Sequence, residues 1–107
     1  MKRGDLVTVA LQGNYGKPRP GLVVQSNLFS EHPSISIAPV TGELRATPLF
    51  RINVMPDPEN SLRKPSQIMA DKIQAVQREK DGSPFGQIDP DTMQEVDDAL
   101  ALWFGLR

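Results

Sequence analysis

Few residues in this chain have side chains suited to chemistry, and those few suit a phosphate. Arg19 stands between Pro18 and Pro20 in NYGKPRPGLVVQSN. Proline fixes its own φ and restricts the residue before it, so the backbone around this guanidinium is stiff. Thr41 ends an alternating segment and precedes Gly42, where the chain must turn. Asp71 and Lys72 interrupt an otherwise apolar stretch, SQIMADKIQAV. Cysteine is absent, and so are a P-loop and a dinucleotide glycine fingerprint. The single histidine, His32, lies in a polar loop before Pro33 and reads as solvated, and one chain cannot form a two-histidine acid–base pair. The adjacent carboxylates Asp97 and Asp98 read as a solvated helix face without metal-ligand spacing, so neither a metal nor a cofactor is expected.

An arginine, a hydroxyl and a carboxylate are the groups that RNA transesterification needs. RNA carries its own nucleophile, the 2′-OH. The protein must remove its proton, protonate the leaving 5′-oxygen, and stabilise charge on the phosphorane-like transition state. Arginine does the last by bidentate hydrogen bonding. Gln25 and Asn27 follow an apolar segment and could read base edges; turn satisfaction is the plainer role. Tyr15 could stack on a base, or lie partly buried on the sheet. Lys17, Arg63 and Lys64 could line a groove that tracks phosphates, or be ordinary exposed cations. These residues alone leave a non-catalytic binding module open.

Small strands must position them. DLVTVAL (5–11) is rich in β-branched residues. GLVVQS (21–26) is too short for a helix and reads as a central strand, with Arg19 in the loop before it. NLFSEHP is loop or one helical turn. SISIAPV (34–40) alternates with period two, Ile35 and Ile37 on one face. TPLFRINV (47–54) is expected to be its hairpin partner, with Phe50, Ile52 and Val54 on one face. Residues 55–65 carry three prolines and no apolar period, so they form a long loop of the kind that is often functional. Residues 66–76 read as strand, anchored by Ile68, Ile73 and Val76, and a short strand is expected near Phe85–Ile88. The last segment is a helix: Asp89 caps it, Pro90 suits its first position, and Gly105 stops it. Met93, Val96, Leu100 and Trp103 mark one stripe, which predicts burial of Trp103.

Length and charge set outer limits. The 107 residues predict one domain spanning 1–107. No apolar run is long enough to span a bilayer, and the N-terminus lacks a signal-peptide core, so the expected location is cytoplasmic, away from membranes. The net charge of −1 argues against a generic nucleic-acid binder. Its distribution is more informative: residues 1–72 hold nine Lys/Arg against six Asp/Glu, and residues 73–107 hold three against seven. A basic front of that kind attracts an anion.

RGDLVTV, GKPRPGLVVQSN, PVTGE, KPSQIMADKIQAV and a terminal helix ending in FGL occur in the order found in the MazF/PemK (Kid) toxins of bacterial toxin–antitoxin modules, and the chain resembles that family over nearly its whole length. The resemblance implies an α+β fold: a small SH3-like, strongly twisted antiparallel β-barrel with a C-terminal helix. It implies a homodimer that cleaves single-stranded mRNA at short sequences, without metal, through a 2′,3′-cyclic phosphate. It also implies a cognate antitoxin that neutralises the toxin, with operator DNA reached only through that antitoxin. By the same resemblance Arg19 is the acid or phosphate stabiliser, Thr41 holds the scissile phosphate, and Asp71 is the base. Two departures stand out. Kid-type toxins carry an arginine where this chain has Met69, for which Lys72 could substitute. Asn14 and Tyr15 replace acidic and histidine residues, which places RNA contacts peculiar to this chain there. The alternative is a CcdB-like, non-catalytic gyrase poison, suggested by the tail LWFGLR.

Overall fold

The computed structural model describes residues 1–10, 17–47, 49–78 and 83–107. Among the described residues, seven strands and one α-helix follow in order: β1 (Asp5–Ala10), β2 (Pro18–Val23), β3 (Ser34–Thr41), β4 (Arg51–Val54), β5 (Ser66–Met69), β6 (Gln74–Gln77), β7 (Gly86–Gln87) and α1 (Pro90–Trp103). Every strand pairing is antiparallel, in the spatial order β4-β5-β3-β2-β1-β7, with β6 also on β3. The sheet curls into a half-barrel around α1, an α+β architecture.

Period-two alternation sorts the apolar side chains into two layers. Leu6, Leu22 and Ala38 are cross-strand neighbours and fully buried. They pack with Val40, Ile52, Val54 and Ile68 against Val96 and Ala99 of α1. The intervening residues Val7, Val9, Val23, Ile35 and Ile37 form a second cluster on the opposite face. Full burial of one valine or isoleucine is worth about 1.5–3 kcal/mol. The partly exposed Arg3–Asp97 ion pair between the N-terminus and α1 falls in a class worth about 0–1 kcal/mol. Apolar packing therefore seats the helix, and the ion pair contributes the smaller share.

The helix ends follow the sequence. The Asp89 carboxylate accepts hydrogen bonds from the Thr92 N–H at 2.9 Å and the Thr92 hydroxyl at 2.7 Å, and Pro90 occupies the first helical position. At the other end Leu106 N–H donates to the Ala101 carbonyl at 2.7 Å and Gly105 N–H to that of Leu102 at 3.2 Å. This is the Schellman arrangement, and Gly105 supplies its left-handed residue at φ +71.

Four expectations need correction. β2 begins at Pro18, so Arg19 lies inside a strand, paired with Val9 of β1. The prolines are tolerated because residues 18–20 pair only with β1, where a missing donor costs least. β4 is not the hairpin partner of β3. It pairs with β5, because β3 already has β2 on one edge and β6 then β5 on the other. Residues 66–76 are not one strand: a 3₁₀ turn at Ala70–Lys72 separates β5 from β6, and the two bind different halves of β3. Trp103 is 50% exposed; the helix buries Val96 and Ala99, one to two turns before it, against the sheet. Its ring meets Phe50, which precedes β4, at 5.7 Å between centroids.

Removal of the helix cap has a defined cost. Asp89→Ala is expected to lower the unfolding free energy by about 1 kcal/mol, with Asp89→Asn retaining most of it. The Thr92 hydroxyl, and then its N–H, hold the Asp89 carboxyl below the usual aspartate value. Its contribution is therefore complete above the unfolded-state value of about 3.9 and is lost as pH falls through the lower folded-state value. Thermal melts of wild type and Asp89→Asn across pH 2–6 should converge at the acid end.

Candidate active-site groove

Pro20 carries no N–H to donate towards β3, and the β2–β3 ladder ends at the Gly21–Pro39 pair. Extending that register sets Arg19 opposite Thr41. Val9 pairs with Arg19 on one side, and Thr41 with Gln67 and Gln67 with Asn53 on the other. Arg19 and Thr41 therefore lie at corresponding positions past the end of the ladder, and both line the space that opens there. The close packing at Gly21 keeps this corner tight: a Cβ there would collide with Ile37.

Beyond the end of the ladder the strands open into a groove of about 810 Å³. Arg19 and Pro20 form one wall, Thr41 to Glu43 another, and Ser61 to Lys64 a third, with Thr8, Val40, Met69 and Phe85 along the floor and sides. The lining carries three cations, Arg19, Arg63 and Lys64, and one carboxylate residue, Glu43. Among the described residues no carboxylate forms an ion pair with any of the three cations. Glu43 itself pairs with Arg45 at 3.2 Å, on the surface. The lining is thus net positive and its cations are available to an anion.

Local hydrogen bonds hold the two loops. The Thr41 hydroxyl oxygen accepts the Glu43 N–H at 3.0 Å, which closes the turn after β3. The long loop 55–65 is organised by Asn60, which is buried. Its side-chain oxygen accepts N–H groups of Asp57 at 3.1 Å and Leu62 at 2.9 Å, and its amide donates to the Met55 carbonyl at 2.9 Å. Ser61 adopts φ +56 directly after this staple, which presents Leu62, Arg63 and Lys64 to the groove. Lys64 lies across Gly42, where an added Cβ would fall 2.6 Å from its ammonium nitrogen.

The residues singled out from sequence separate into groups. Arg19, Thr41, Arg63 and Lys64 come together on the groove. Lys17 is exposed ahead of β2 and is not on the lining. Asp71 and Lys72 occupy the 3₁₀ turn, also off the lining, as an ion pair at 3.7 Å; one Asp71 oxygen is buried with no hydrogen-bond partner among the described residues. Gln25 is engaged within the chain: it accepts from Ser36 N–H at 3.0 Å and donates to the Phe29 and Ser34 carbonyls at 3.1 and 3.0 Å. Asn27 accepts the Arg3 N–H at 2.7 Å. Both stabilise the 27–33 loop. Asn14 and Tyr15 lie outside the described residues. Sequence reasoning missed Glu43 and Asn60, although the left-handed turn after an Asx residue in a proline-rich loop is a readable signal for the second.

The sequence profile of the PemK-like, MazF-like toxins of type II toxin–antitoxin systems matches residues 2–104. The chain is 36% identical over 107 residues to the probable endoribonuclease MazF of Mycolicibacterium smegmatis, covering 99% of this chain and 98% of that protein. It is similar to a solved endoribonuclease in complex with its cognate antitoxin from a mycobacterial species, with a TM-score of 0.81 and 25% identity over 100% of this chain and 97% of that one. The Mycobacterium tuberculosis toxin MazF-mt6 shares the fold at a TM-score of 0.82, with 21% identity over 96% and 98% of the two chains.

Gly42 on the groove and Gly86 against the Asn60 loop respond differently to a methyl group. A Cβ at Gly42 meets the mobile end of Lys64, whereas one at Gly86 meets the Asn60 backbone, 2.6 Å from its carbonyl carbon. Gly86→Ala is expected to cost about 1–3 kcal/mol in urea denaturation, and Gly42→Ala about 0.5 kcal/mol or less. Equal losses would show that the Asn60 loop is not rigid.

Proposed function

The chain belongs to the PemK-like, MazF-like toxins of type II toxin–antitoxin systems, and from that premise we propose that the groove is the active site of an RNA-cleaving toxin. The observation that carries this reading is that Arg19 and Thr41, from two strands, line one groove with Arg63 and Lys64, and that none of the three cations has an ion-pair partner among the described residues. The protein is an endoribonuclease, and a cognate antitoxin is its protein partner, as for the mycobacterial relative. A gyrase poison of the CcdB kind is not favoured by these relatives.

In the proposed reaction a base takes the proton of the RNA 2′-OH. The O2′–P bond forms as the P–O5′ bond breaks, and the leaving O5′ takes a proton from solvent. The products are a 2′,3′-cyclic phosphate and a free 5′-OH. A guanidinium presents several N–H donors in a planar fork and no acceptor, so the role of Arg19 is to stabilise the charged non-bridging oxygens. The Thr41 oxygen already accepts the Glu43 N–H, which leaves its own hydrogen free to donate to the scissile phosphate. Arg63 and Lys64 hold flanking phosphates.

Two carboxylates compete for the role of base. Asp71 is implied by the family resemblance, and Glu43 lines the groove. We also propose that the toxin cleaves single-stranded RNA at short sequences without metal, that it is a cytoplasmic homodimer, and that it reaches operator DNA only through its antitoxin. Among the described residues, no helix is long and apolar enough to cross a membrane.

Incubation of the purified protein with mixed RNA in EDTA, followed by end mapping, tests the reading directly. Cyclic-phosphate 3′ ends and 5′-OH ends are expected; binding without cleavage would replace the enzyme by a binding module. Arg19→Ala should fold normally and lose about 10²–10³ in kcat. The base is identified from pH profiles of kcat/KM: Glu43→Gln or Asp71→Asn should abolish the acid limb, and its survival in both variants would exclude both carboxylates.

A further inference from the structure

Gln67 is 5% exposed, yet it lies on a strand whose next residue is the fully buried Ile68. A buried amide is costly unless its hydrogen-bonding capacity is met. All of it is met here, largely by one short segment. The Gln67 side-chain oxygen accepts the Arg45 N–H and an Arg51 guanidinium N–H, each at 3.0 Å. Its amide nitrogen donates to the Arg45 carbonyl and to the Asn53 side-chain oxygen, each at 2.9 Å. The same Arg51 nitrogen also donates to the Glu43 carbonyl at 2.9 Å. Gln67 and Arg51 together grip both ends of the Glu43–Arg45 stretch. Gln67 is the cross-strand partner of Thr41, and neither Gln67 nor Arg51 lines the groove.

We infer that Gln67, with Arg51, is a positioning clamp for Thr41. By holding Glu43 in place the clamp keeps the Glu43 N–H on the Thr41 oxygen. A hydroxyl has one hydrogen and two lone pairs. With a lone pair committed to that backbone N–H, the hydrogen points away from the turn and serves as a donor into the groove. Without the clamp the turn relaxes, and the hydroxyl rotates freely or donates to a nearby carbonyl. The inference rests on the reading of the groove as an RNA-cleaving site, and concerns residues that touch no substrate.

A double-mutant cycle tests it, with turnover of a short oligoribonucleotide that contains the mapped cleavage site. Gln67→Met keeps the side-chain length and removes every hydrogen bond. It is expected to lower kcat about 10- to 100-fold, the scale of a small displacement of a reacting group, with KM nearly unchanged. In a Thr41→Val background the same substitution should cost nothing further, because the two residues act as one unit. Hydrogen exchange of the Glu43 amide should accelerate in Gln67→Met while core amides stay protected. Arg51→Lys, which lacks the forked donors, should show the same non-additivity, and carries the test if Gln67→Met fails to fold. Additive losses in both backgrounds would overturn the clamp and leave the active-site reading intact. Undiminished cleavage by Thr41→Val would overturn both.

Discussion

The β2–β3 register is the constraint on which the rest of the molecule depends. The Leu22–Ala38 pairing puts both residues on the face that meets α1. A slip by one residue would turn every buried side chain of a strand to the wrong face. The same register, carried past the last hydrogen-bonded pair, brings Arg19 opposite Thr41. Core and groove are thus two ends of a single pairing. Proline links them, because Pro20 ends the ladder where the groove opens.

β3 curls because its two halves have different partners on one edge. Ser34–Ile37 pair with β6, and Val40–Thr41 with β5. The 3₁₀ turn between β5 and β6 inserts three extra residues opposite the middle of β3, while both strands keep running antiparallel to it. The curl makes a concave face deep enough for Val96 and Ala99, and leaves its rim free for the loops that line the groove.

The charge asymmetry of the sequence acquires a geometric meaning. Carboxylates of the acidic helix pair with cations from the chain ends: Asp97 with Arg3, and Asp98 with Arg107. The groove cations Arg19, Arg63 and Lys64 have no such partners among the described residues, so the field at the groove stays positive although the whole chain is slightly acidic. Buried polar side chains serve the same end. Asn60 holds the loop that carries Arg63 and Lys64, and Gln67 holds the turn that follows Thr41.

Much of this was legible from residue order. Alternation in SISIAPV sets which side chains of β3 go inward, since that depends only on backbone periodicity. Asp89, Pro90 and Gly105 delimit α1, since caps are local hydrogen bonds. The stiff Arg19 and the turn-forming Thr41 were identifiable because their neighbours restrict them. Pairing was not legible: nothing in TPLFRINV says that its partner is β5 rather than β3, because an apolar period encodes a face and not a neighbour. Nor were the roles of Gln67, Asn60 and Glu43 visible, or the position of Asp71 away from the groove. A buried amide is defined by backbone groups distant along the chain, and only the folded sheet brings those groups within hydrogen-bonding reach.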